Sequence, residues 1–92
     1  SNLHLRSGIA PVKEMVKRGC RVALGLDGST FDEDDDALRE MRLAHFLHQG
    51  WAFTTDVDRA AMLRMAFQNG RLSVTNKDDG GALSPGMPAD IL

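Results

Sequence analysis

Most apolar residues of the chain recur at helical spacing. Between Pro11 and Gly19 they fall at i, i+3 and i+4, which predicts a short amphipathic helix with proline in its first turn and glycine just past its end. The same spacing predicts a second helix over residues 37–50 and a third over residues 55–70, which stops at Gly70. The rest of the chain carries turn signals rather than a periodic pattern.

The run CRVALGL at residues 20–26 differs because it is almost continuously apolar. Such a run is typical of a strand that is buried on both faces, as in a parallel sheet, and it ends abruptly at Asp27-Gly28. A buried strand needs a neighbour on each side, because each unpaired backbone group costs about 1–3 kcal/mol. No second convincing strand follows, so we expect the partner strands to come from a longer chain or from another copy.

Composition narrows the class of protein. The chain has 92 residues, 42% hydrophobic and 26% charged, with a net charge of −2 and no basic cluster, which argues against a nucleic-acid partner. No segment approaches the roughly 20 apolar residues that span a bilayer, so we expect no membrane partner. The lone Cys20 excludes an internal disulfide and favours a reducing, cytoplasmic location. We expect this cysteine to be a small buried apolar group.

Two polar clusters suggest metal sites but have simpler interpretations. The acidic run Asp32–Asp36 lacks the glycine and the later glutamate of a calcium loop, and carboxylates at a helix start are favourable in themselves. His45 and His48 stand three apart, as a metal pair on a helix does, yet no cysteine or further histidine stands at ligand spacing. We therefore expect neither cluster to bind a metal.

Five motifs occur in order along the chain: SNLHLRSGIAP at 1–11, G-x-D-G at 25–28, E-M-R at 40–42, AAMLRMAFQNG at 60–70 and ALSPGMPADIL at 82–92. In this order they resemble the metal-dependent amidohydrolase superfamily. They are similar to its branch of cytosine, guanine, adenosine-type and triazine deaminases and chlorohydrolases. They are spread over almost the whole chain, which makes the resemblance more specific than any single motif.

The resemblance implies an α/β fold, namely the C-terminal segment of a TIM-type (β/α)8 amidohydrolase barrel that runs into the start of a strand of a small β-sandwich. On this interpretation residues 1–78 are the last αβα units of the barrel, and residues 79–92 are the return segment toward the sandwich. Active sites of such barrels lie at the carboxyl ends of the strands. Asp27, at the end of the predicted strand, would then point into the active site.

The resemblance also implies a role for Asp27 as a metal ligand and as the catalytic group that handles the proton. Asn2, Ser29 and Thr30 would lie near the same rim and contact the substrate. The cofactor would be one divalent metal ion, zinc or iron, which activates a water molecule for attack on a ring carbon. A catalytic ion needs about three protein ligands. The others would come from outside this chain, so we expect the 92 residues alone to be inactive.

The function implied is that of a hydrolase of non-peptide carbon–nitrogen bonds, which deaminates a small amino-substituted heterocycle. Its partners would be that substrate and either the rest of the barrel or another copy of the chain. The sequence leaves open whether the protein forms a homo-oligomer. The alternative is a truncated fragment without catalysis, which self-associates or presents the helix at 37–49 to a protein partner. In that case Asp27-Gly28 would be an ordinary turn.

Overall fold

The computed structural model describes residues 5–28, 35–49 and 57–89. Within these ranges the regular structure is helical. In chain order the elements are α1 (Val12–Lys17), α2 (Ala37–Leu47), α3 (Arg59–Leu63), a π-helical turn (Arg64–Gln68) and α4 (Asn69–Thr75). The last three elements follow one another without a break, and we call them the helical run. No described helix is long and apolar enough to cross a membrane.

Helix α1 forms where the local pattern predicts it. Pro11 precedes the first helical residue, and Gly19 adopts a left-handed φ of +77° just after the end. A glycine suits this position because it lacks the Cβ that makes the left-handed region unfavourable. Val12 is the residue through which the helix enters the core.

Helix α2 begins at the end of the acidic run. The side chain of Asp36 accepts hydrogen bonds from the backbone N–H groups of Leu38 and Arg39, at 3.0 and 3.1 Å. This caps two of the four N–H groups that a helix start leaves without partners. The helix ends at Leu47, where the N–H of His48 bonds back to the last turn.

The helical run begins with a second aspartate cap and passes through the predicted stop. The side chain of Asp58 accepts a hydrogen bond of 2.6 Å from the N–H of Ala61. The run then continues through Gly70 to Thr75, and Asn76 ends it with a left-handed φ of +55°. The prediction that Gly70 ends the helix is therefore wrong, because Asn76 supplies the left-handed residue instead.

A small apolar cluster holds the described elements together. Its buried residues come from α1, from the start of the helical run and from the residue that precedes the Asp58 cap. They are Val12, Val57, Met62 and Met65. Partly buried side chains pack around them from the segment after α1, from α2 and from α3: Val22, Leu24, Met41, Ala44 and Ala61.

The predicted α/β architecture, a (β/α)8-barrel segment with a buried strand at residues 20–26, is wrong. No strand forms among the described residues, and residues 20–28 are irregular. The physical reason is that the N–H of Leu24 donates to the carbonyl of Met65, at 3.1 Å, so it pairs with a helix and not with a strand. The apolar run packs one face on helices, with Val22 and Leu24 half-buried and Ala23 between them exposed.

Two further expectations concern Cys20 and the end of the chain. Cys20 is exposed, so the prediction of a buried apolar cysteine is wrong. The predicted return strand begins with Ala89, which is irregular, while residues 90–92 lie outside the described ranges.

Candidate functional site

Asp27 is exposed at the end of the segment that follows α1. Its backbone is left-handed, with a φ of +64°. Aspartate tolerates this region better than most residues, because its short polar side chain can bond locally. Because the residue is exposed, its carboxylate is accessible to a ligand.

The other predicted site residues are Asn2, Ser29 and Thr30, and they lie outside the described residues. Their contact with a substrate stays a prediction.

The described residues do not form a metal site. They contain no group of three or more histidine, cysteine, aspartate or glutamate side chains that could hold an ion together. Asp27 could supply one oxygen ligand, whereas a catalytic divalent ion takes about three protein ligands. The divalent ion that the family resemblance implies therefore does not fit this part of the chain by itself.

His45 of α2 and His48, the residue that follows the helix, belong to the local structure of the helix end. Nε2 of His45 lies 2.9 Å from Nε2 of Gln49, one turn further on. Nδ1 of His45 is buried, with no hydrogen-bond partner among the described residues. Burial lowers the pKa of His48, because the protonated ring loses water. A shallow groove beside His45 is lined further by Asp58 and Arg59, but Asp58 is already used as the cap of α3.

Two hydrogen bonds hold the segment that leads to Asp27 against the helical run. One is the bond from the N–H of Leu24 to the carbonyl of Met65, and the other runs from the side-chain amide of Asn69 to the carbonyl of Val22, at 2.7 Å. Sequence reasoning missed Asn69 because Asn69-Gly70 has the composition of a helix stop. Its amide and its place on the Met65 side of the helix were the only available signals.

A second segment packs on the same helical run. Nε of Arg71 donates to a carboxylate oxygen of Asp79, at 2.9 Å, and this bond lowers the pKa of Asp79. Two residues later Gly81 lies against the π-helical turn, where a Cβ would stand 2.6 Å from the backbone of Phe67 and Gln68. The loop after α4 therefore folds back along the helix.

Comparisons with known proteins agree over the whole chain. The family model described as amidohydrolase family matches residues 1–92. A 5-methylthioadenosine/S-adenosylhomocysteine deaminase of Syntrophomonas wolfei is 42% identical over 100% of this chain and 22% of its own length. The protein of the same name from Pelotomaculum thermopropionicum is also 42% identical, over 100% of this chain and 21% of its own. A 5'-deoxyadenosine deaminase of Methanosarcina barkeri is 37% identical over 100% and 21%.

The chain thus spans about a fifth of the length of these curated relatives. No solved structure matches it. The family match covers every residue, and the named relatives confirm the deaminase branch that the motifs indicated. The chain belongs to the amidohydrolase family.

Proposed function

We propose that this chain is part of a hydrolase that deaminates an adenosine-type heterocycle. The observation that carries the proposal is the family match over residues 1–92, together with relatives that are named for deamination of adenosine derivatives. In such a reaction water adds to the ring carbon, the carbon–nitrogen bond breaks, and the amino group leaves as ammonia. The substrate is then a small nucleoside derivative.

Asp27 is the residue that we assign to proton transfer. The residue is exposed and has a left-handed backbone, so its carboxylate can reach a water molecule or a leaving amine. A positioned carboxylate that accepts a proton from the attacking water contributes about 10²–10⁴-fold to a rate. Asp27 would also supply one ligand of a divalent metal ion, and the remaining groups of the site, including the other ligands, would come from parts of the protein outside this chain. Asn2, Ser29 and Thr30 are the proposed substrate contacts.

The test is turnover by the full-length protein, measured as ammonia release from 5'-methylthioadenosine and from S-adenosylhomocysteine. The variant Asp27→Asn keeps the shape of the side chain and removes its basicity. We expect its kcat to fall about 10²–10⁴-fold. The matched control is Asp35→Asn, which changes an exposed aspartate before α2 and should leave kcat unchanged. Full turnover by Asp27→Asn would remove the assigned role, and no turnover of any adenosine derivative by the parent would remove the proposed function.

The alternative is a non-catalytic fragment that binds another protein or copy. The observation that favours it is the apolar surface of α2, where Leu38 is 65% and Phe46 54% exposed. Sedimentation of the full-length protein separates the two. Self-association that Leu38→Ser and Phe46→Ser abolish, in a protein without turnover, would support the alternative.

A further inference from the structure

The segment that ends at Asp27 is joined to the helical run at two neighbouring points. The backbone N–H of Leu24 donates to the Met65 carbonyl, at 3.1 Å, and the Asn69 amide donates to the Val22 carbonyl, at 2.7 Å. The two bonds run in opposite directions between the same pair of elements. Because the donor of one and the acceptor of the other lie two residues apart on the segment, they fix its register along the helix.

The π-helical turn makes this arrangement possible. In an α-helix the N–H of Asn69 would bond to the carbonyl four residues back, which is that of Met65. Here it bonds to the carbonyl of Arg64, five residues back. The carbonyl of Met65 is therefore not taken by Asn69 and can accept the N–H of Leu24. The wide turn thus supplies an acceptor and places the Asn69 side chain beside it.

Burial makes the two bonds persistent. Met65 is only 5% exposed, and Val22 and Leu24 pack half-buried against the core cluster that contains it. Asn69 itself is partly buried. Water competes poorly for donors and acceptors in such a place, so the segment is held by backbone geometry as well as by apolar contact.

We propose that Asn69 is a positioning residue, which sets the location of Asp27 by holding the carbonyl of Val22. The proposal rests on the function assigned to Asp27 above. Asp27 lies three residues beyond Leu24, so it can be at most about 10 Å from the anchored backbone. Loss of the anchor would let the segment shift along the helix and carry the carboxylate with it. Misplacement of a reacting group by about 1 Å can cost about 10²-fold in rate.

The amide is the feature of Asn69 that matters, since the acceptor is a carbonyl oxygen. Asn69→Asp keeps the shape but replaces the N–H donor by a carboxylate oxygen, which repels the Val22 carbonyl. Asn69→Ala removes the contact altogether. The matched control is Ser73→Ala on the same helix, because among the described residues the Ser73 hydroxyl donates within its own turn, to the carbonyl of Gly70.

Steady-state deaminase kinetics of the full-length protein test the proposal. We expect Asn69→Ala and Asn69→Asp to lower kcat by about 10–100-fold with less than about a twofold change in KM, and Ser73→Ala to change neither. We also expect Asn69→Ala to add no further loss in the Asp27→Asn background, because residues that act through one another are not additive. Losses that multiply would mean a merely structural role and would overturn the proposal.

Hydrogen exchange supplies a readout that does not depend on activity. We expect the amide of Leu24 to exchange at least about tenfold faster in Asn69→Ala and Asn69→Asp than in Ser73→Ala, because local opening exposes it. If Asn69→Ala does not fold, the isosteric Asn69→Asp carries the same comparison. Unchanged exchange and unchanged kcat in folded Asn69 variants, with Asp27→Asn inactive, would overturn this inference alone. Full activity of Asp27→Asn would instead overturn the function on which it rests.

Discussion

Single polar side chains in the described part of the chain bond either to backbone groups or to one another. Asp36 and Asp58 each cap a helix start, Asn69 takes a carbonyl of the segment before Asp27, and Arg71 holds the carboxylate of Asp79. Each bond fixes a segment that apolar packing alone would not hold in one position. Asp27 is exposed like Asp36 and Asp58, but it caps no helix start and stands at the end of an anchored segment.

The pH dependence of stability should carry a contribution from His48. Its pKa in the folded protein lies below the ordinary value of 6.5, because burial disfavours the protonated ring. Between the two values the unfolded chain binds more protons, so the contribution is present above pH 6.5 and is lost as the pH falls through the folded pKa.

The measurement is the free energy of unfolding of His48→Gln and of the parent across this range. We expect the parent to lose more stability than the variant as the solution is acidified. An NMR titration of the His48 ring with a midpoint at or above 6.5 would contradict the expectation.

How well a helix end could be predicted depends on whether the residues that fix it are close in sequence. The first helix agrees with its pattern, because Pro11 and Gly19 act within a few residues of its ends. The end of the helical run was missed, because Gly70 and Asn76 are both acceptable stops and only packing decides between them. The strand prediction at residues 20–26 was wrong for a deeper reason, since a strand depends on partners remote in sequence. Here the partner is a helix.

The loop after α4 contacts the π-helical turn at Gly81 but not at Gly86. Substitution of these two glycines by alanine should therefore cost different amounts of stability. Gly81 and Gly86 both have positive φ, +75° and +85°, which costs a side chain about 1–2 kcal/mol. A Cβ on Gly81 would also press on the backbone of Phe67 and Gln68, whereas one on Gly86 meets open space. We expect Gly81→Ala to be the more destabilising by at least about 1 kcal/mol. Chemical denaturation of the two variants checks this, and equal losses would contradict the packing.

The molecule as a whole exposes more surface than a compact protein of its mass. Its accessible area is 7253 Å², whereas about 5,300 Å² is usual for a folded monomer of 10.1 kDa. Large apolar side chains contribute to the excess, with Val74 and Leu83 each 86% exposed. A core of this size is a poor basis for independent stability.

Motif order was sufficient to identify the family, because the motifs are spread over almost the whole chain. The candidate site was harder to predict from the sequence. Asp27 could be proposed from its place after the apolar run, but Asn69 could not, because its bond to Val22 spans 47 residues of sequence. The metal expected beside Asp27 finds no ligand cluster in the described ranges. The division of the chain between residues 78 and 79 stays a prediction.

A peptide of residues 1–92 should therefore behave differently from the full-length protein. We expect the peptide to bind the dye ANS and to melt without a sharp transition, because its exposed apolar side chains outnumber those in its core. The full-length protein is the control and should show neither property. A cooperative melt and no dye binding by the peptide would contradict this expectation.

The π-helical turn also bears on how the sequence can change over generations. It holds one more residue than an α-helix needs to span the same rise, so loss of Ala66 would rewind Arg64–Gln68 to ordinary pitch. The helix that follows would keep its orientation, because the residue lost is the one that the wide turn adds. The N–H of Gly70 would then stand four residues after Met65 and take its carbonyl, so Leu24 would lose its acceptor although no residue of that bond had been replaced. Among related sequences, deletion of a single residue within Arg64–Gln68 should therefore be rarer than substitution of a residue in the same turn.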